Sequence, residues 1–177
     1  MKLSRYLRAF GLFALAFGMV IVVGADDLDA AGKADDAKKF TADLKSGKTT
    51  KVKVTALDEL GRLGQIQYKY AEAAIPSMFE YLKDKDAALR AAAARAIGLV
   101  GPDDEKTVGE LVAVLKGEKE ESVKYALVVA LGQLGARAKD SVGELRKVQK
   151  AAEAKSKLAK QVGVSIKSIN GVKGKKN

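Results

Sequence analysis

Lys45, Lys83, Lys116 and Lys150 recur at intervals in the thirties and form the most regular charged column of this chain. Ammonium groups at a fixed period make a strip that attracts carboxylates or phosphates on a partner. Glu80 and Lys147 lie in a neighbouring column, while Tyr68 and Tyr70, with Tyr81 further on, offer apolar rings with a polar tip, the usual composition of an interface anchor. Asp103, Asp104 and Glu105 follow Pro102 and carry the oxygen ligands that a calcium ion takes, but acids at this place also cap the start of a helix.

The inventory closes off most other chemistry. There is no cysteine and no histidine among the 177 residues, which excludes disulfides, thiolate chemistry, histidine metal sites and imidazole acid–base catalysis. Aromatic residues make up 6% with no tryptophan, which leaves little for stacking a ligand. No Gly-rich phosphate loop, nucleophile elbow or pair of carboxylates with shared-site spacing is present. We therefore assign no catalytic residue, no cofactor and no metal, and expect a protein that is not an enzyme. The candidate residues are partner-binding ones: Lys83, Lys116, Lys150, Glu80, Lys147, Tyr68 and Tyr70.

The elements that would position these residues are repeats. The stretch LRAAAARAIGLVG, residues 89–101, returns as variants at 52–64, 123–135 and 158–170, with starts 37, 34 and 35 residues apart. In each copy two large residues lie eight apart (Val52 and Leu60, Leu89 and Ile97, Val123 and Leu131, Leu158 and Ile166), with Ala56, Ala93, Leu127 and Val162 between them. Steps of four, four and three place them on one helical stripe. Gly64, Gly101, Gly135 and Asn170 stand where a helix commonly closes in a left-handed residue. Gly61, Gly98 and Gly132 lie three residues earlier, where each costs about 1 kcal/mol against alanine, so a neighbouring helix is expected to pack close there.

A second helix follows each copy. Ile75, Met78, Phe79 and Leu82 align with Val108, Leu111, Val112 and Leu115, and then with Val142, Leu145, Arg146 and Gln149, so the third copy loses two apolar positions. The column lysines fall in the last turns of these helices. There they also offset the negative end of the helix dipole, worth about 0.3–1 kcal/mol each, which accounts for the column without a partner. Phe40 and Leu44 align as the second helix of a half-repeat, and the first full repeat carries three extra residues within 65–72. The expected divisions are a flexible leader at 26–34, a half-repeat at 35–48, repeats at 49–85, 86–119 and 120–154, a capping helix at 155–170 and a basic tail at 171–177.

LRAAAARAIGLVG preceded by AAIPSMFEYLKDKD resembles the short bacterial HEAT repeats, of the kind also seen in phycobilin lyases, and the likeness covers residues 35–170. It implies an all-α fold, a right-handed α-solenoid of about seven helices, whose second helices line the concave side. It also implies a ladder between repeats in which Asp86 is the acid of the turn and Arg90 the base one turn into the next helix. Glu120 and Lys124 match that pair, while Thr49 takes the acidic place beside Lys53. Members of this family mostly bind other proteins, and some act on a cofactor.

The net charge of +10 is concentrated at the ends. Residues 26–154 hold 22 basic and 22 acidic side chains, and the excess lies in Lys2, Arg5 and Arg8 and in seven lysines from Lys155 onward. The first three precede an apolar run, Phe10 to Val23, and the small residues Val23-Gly24-Ala25, which together read as a secretory signal cut after Ala25. That run is about 14 residues long and holds Gly11 and Gly18, short of the roughly 20 that span a bilayer. No cysteine follows it to take a lipid. The expectation is a periplasmic or secreted, non-catalytic adaptor that binds a protein partner along its concave face, with no nucleic acid and no stable membrane span. Two other readings stay open: a lyase-like accessory subunit or cofactor binder, and a binder of anionic envelope surfaces through the C-terminal lysines.

Overall fold

The computed structural model describes residues 15–16, 19–20 and 25–171. The expected signal and basic tail therefore lie almost wholly outside the described residues. Leu15–Ala16 (β1) and Met19–Val20 (β2) form a minimal antiparallel pair, and all other described regular structure is helical. Among the described residues there are eight α-helices, one more than expected, which is what a half-repeat, three pairs and a cap add up to. They are α1 (Ala25–Ser46), α2 (Thr50–Ile66), α3 (Ile75–Tyr81), α4 (Ala87–Val100), α5 (Glu105–Gly117), α6 (Glu121–Gln133), α7 (Val142–Ala151) and α8 (Lys157–Ile169).

The helices form two layers of an α-solenoid. In the A layer, α2, α4, α6 and α8 stack side by side in sequence order, while in the B layer α1, α3, α5 and α7 each fold back on the A helix that follows. The repeated stripe is the reason. Ala56, Leu60, Ala93, Ile97, Val123, Leu127, Leu131 and Val162 are fully buried, and Leu89 and Leu158 nearly so. Its first and last members are less covered: Val52 is 40% exposed and Ile166 only half-buried. Among the described residues no A helix precedes α2 and none follows α8.

Glycine sets the spacing of the A layer. A Cβ built on Gly61 would lie 3.0 Å from the Ala96 Cα, one on Gly98 would lie 2.7 Å from the Ala130 Cα, and one on Gly132 would lie 3.0 Å from the Ser165 Cα. Each A helix thus brings its backbone onto a small residue of the next, as the recurring glycines led us to expect. In the fourth copy the same column holds Lys167, which is exposed. The facing column, Ala96, Ala130 and Ser165, begins in the first copy with Glu59, whose carboxylate accepts from Arg62 at 2.8 Å. Charged side chains therefore stand at both open ends of the layer where small residues stand within it.

Helix ends follow local side-chain chemistry. The side chains of Thr49, Asp86, Asp104 and Ser156 accept from backbone N–H groups in the first turns of α2, α4, α5 and α8. Gly101 and Gly135 close α4 and α6 at φ +58° and +59°, a region open to glycine at little cost. Two expected closures are corrected. Gly64 lies inside α2, which continues to Ile66, and it is small because a Cβ would strike the Val100 and Ala71 side chains. Asn170 caps α8 with φ −81°, and the left-handed residue is Gly171 at φ +74°.

The flexible leader is also corrected, since residues 26–34 belong to α1. Ala30, Ala31 and Ala34 are strong helix formers. Asp29 and Lys33 pair at i,i+4, and the Tyr70 hydroxyl donates to the Ala30 carbonyl at 3.4 Å. The three extra residues between α2 and α3 are absorbed by an extended Gln67 and two short 3-10 turns, Tyr68–Tyr70 and Glu72–Ala74.

Candidate functional site

The two layers differ in how much surface they leave open. Bonds across the A layer run from side chain to backbone, between paired charges, and between side chains such as Tyr125 and Gln161. The Ser165 hydroxyl donates to the Val128 carbonyl at 2.8 Å, the Ser168 hydroxyl to the Gly132 carbonyl at 2.9 Å, and Arg95 straddles the Asp58 carboxylate at 2.9–3.2 Å. The B helices make no comparable backbone approach to one another, and clefts open beside them. One of about 620 Å³ lies between α1 and the 3-10 turns before α3. Others lie between the ends of α3 and α5, along α5 beside Arg137, and between α5, α7 and the start of α8.

The lysine column sits on this side, but its members differ. Lys45, Lys116 and Lys150 occupy last turns of α1, α5 and α7 and are exposed. Lys83 lies just beyond α3, and its ammonium group is 3.0 Å from the Glu110 carboxylate of α5, so it ties two B helices together. Lys147 bonds to Glu144 within α7 at 3.1 Å, and its side chain lines the same cleft as Lys116. Glu80 is exposed at the end of α3.

The tyrosines separate by role. Tyr81 donates to the Leu44 carbonyl at 2.8 Å, and the Lys53 ammonium stands 5.3 Å from its ring centre, so it latches α3 to α1. Tyr70 lines the large cleft together with Lys45, Lys38 and Lys69. Tyr68 is 45% exposed.

The expected ladder is shifted by two residues. Arg90 donates to Glu118 through Nε at 2.7 Å and Nη2 at 3.0 Å, and its Nη1 donates to the carbonyls of Asp84 and Lys85. Arg90 and the backbone N–H groups of Glu120 and Lys119 hold the Glu118 carboxyl down at about 2, against an ordinary 4.5. Asp86 instead accepts from the Thr50 hydroxyl at 2.8 Å and from the Ala88 N–H at 2.9 Å, and these bonds lower its pKa. Glu120 makes no capping bond, so the acid of the rung is the residue two places before it. Asp84-Lys85-Asp86 and Glu118-Lys119-Glu120 are parallel turns, in which Asp84 and Glu118 each accept from the backbone N–H two residues on.

The acids after Pro102 are used structurally. Asp104 accepts from the N–H groups of Lys106 and Thr107 at 2.7 and 2.8 Å and from the Thr107 hydroxyl at 2.9 Å, while Asp103 faces Arg137 at 3.4 Å. Among the described residues no group of three or more acidic side chains converges as a metal site would require.

Compared with known families, the chain matches the one described as HEAT repeats over residues 37–132 and again over residues 75–160. No curated protein matches it.

Proposed function

Since the chain belongs to the HEAT-repeat family, we propose that it is an exported, non-catalytic scaffold that binds a protein partner on its B-layer side. The observation that carries this reading is the asymmetry between the layers. The A helices are sealed against one another at glycine spacing, whereas the clefts and the exposed lysines Lys45, Lys116 and Lys150 lie along the B helices. A spaced row of helices with charged rims can be contacted in several places at once, which gives a partner both apolar seats and orientation. Lys83 contributes less, because Glu110 already neutralises it.

Export rests on residues 1–25, with their basic start, apolar run and small residues before Asp26. No helix among the described residues is long and apolar enough to cross a membrane. The mature protein is placed in the periplasm or outside the cell, and N-terminal sequencing of the native protein checks this by starting at Asp26.

The binding reading is tested by affinity capture from an envelope extract with the native chain and with a Lys45→Glu, Lys116→Glu, Lys150→Glu variant. A protein retained by the first and lost by the second, both remaining equally helical, supports the B-layer side as the binding face. Equal retention by both chains refutes that placement. No retained protein refutes the scaffold reading.

A further inference from the structure

We propose that the cleft between α1 and the inserted 3-10 turns is a seat for an amphipathic, acidic segment of a partner protein. This rests on the scaffold reading and gives it an address. The cleft holds about 620 Å³, and its walls come from Ala34, Ala37, Thr41 and Ala42 on one side and from Ala73 and the Tyr70 ring on the other. It is therefore apolar within and shallow enough for a helix or strand to lie along it. Side chains as small as these make the seat wide, so an occupant must bring its own bulk, namely leucine-sized groups on one face.

The rim specifies the charge of that occupant. Lys38, Lys45 and Lys69 surround the apolar walls. Lys38 pairs with Asp35 at 3.2 Å, whereas Lys45 and Lys69 have no ion-pair partner among the described residues. Lys45 also stands in the last turn of α1, near the negative end of the helix, where a positive charge is favoured. An occupant that seats apolar groups between these lysines and directs carboxylates outward meets charge complementarity at both walls. Tyrosine sets this site apart: the α4–α5 connection is only residues 101–104, and the α6–α7 connection, residues 134–141, is as long as 67–74 but carries no tyrosine.

The test uses a fluorescein-labelled synthetic helix of about 18 residues, long enough to hold its shape, with leucine and alanine on one face and glutamate on the other. Its binding to the full chain is followed by anisotropy beside a counterpart with lysine in place of glutamate. The acidic helix is expected to bind and the basic one not. Lys45→Glu with Lys69→Glu should weaken binding about tenfold, and so should Ala42→Trp, which fills the exposed wall. Affinity that is unchanged in these variants, or equal for both peptides, overturns the proposal. If instead Lys116→Glu with Lys150→Glu abolishes binding, the cleft is wrong and the scaffold reading stands. Should the cleft bind its peptide while the native chain captures no protein, the scaffold reading fails by itself.

Discussion

The A and B layers are built from the same repeats but solve opposite problems. In the A layer glycine is placed where the next helix arrives, and Gly98 leaves only the room its own hydrogen needs beside Ala130. In the B layer Gly109 and Gly143 have nothing within 4 Å of where a Cβ would stand. The same residue type is thus a spacing device on one side and an unfilled position on the other. What this teaches is that periodic occurrence alone does not assign a role to a glycine. The role lies in what the neighbouring helix does.

The contrast is broken most severely at the bond that joins the layers. Glu118→Ala leaves Arg90 without its carboxylate in a place where the Glu118 side chain is only 4% exposed, and should lower stability by about 3 kcal/mol in chemical denaturation. The same pair gives a pH signature. The folded value of about 2 lies below the ordinary 4.5, so the contribution is complete above that ordinary value and disappears as pH falls toward 2. Stability profiles of the native chain and of Glu118→Gln should therefore converge at the acid end. Profiles that stay parallel would remove the pair from the account.

Next in size is the glycine seam. Gly98→Leu should destabilise by about 2–3 kcal/mol through overpacking against α6, while Gly109→Ala should stabilise by about 0.5–1 kcal/mol through helix propensity. Opposite signs in two melting curves sharpen the comparison, and a shared sign breaks it. A smaller effect comes from the ion pairs within each layer. Double-mutant cycles should give about 0.5–1 kcal/mol for Arg95 with Asp58, bound through three nitrogen–oxygen contacts, and at most about 0.5 kcal/mol for Lys83 with Glu110, where the lysine side chain is 63% exposed.

The A layer was almost entirely legible in the sequence, because burial on one helical face forces a spacing that side-chain size betrays. Leu89, Ile97 and the glycines three before each turn carried both the period and the contact. Polar connections were less legible, since a carboxylate two residues away reaches the same guanidinium. Nothing in the periodic pattern chose Glu118 over Glu120. The N-terminal leader differs from expectation because Leu28 is the single large apolar residue near Ala30, Ala31 and Ala34, too little to announce a helical stripe, although their propensity and the Asp29–Lys33 pair favour a helix. The large cleft was half visible. Tyr70 and Lys45 stood out as types, but their meeting depends on how the insertion folds back onto α1.

Lys167 occupies the glycine column at the last A helix, and Glu59 the facing column at the first. A repeat stack is by nature extendable, since the surface that receives one helix would receive the same helix from another molecule, and such head-to-tail contacts do not close on themselves. A lysine where the next backbone would have to arrive keeps that approach too wide for the seam to form. The last described A helix thus presents an outer face on which the glycine-spaced seam of the inner helices is disfavoured.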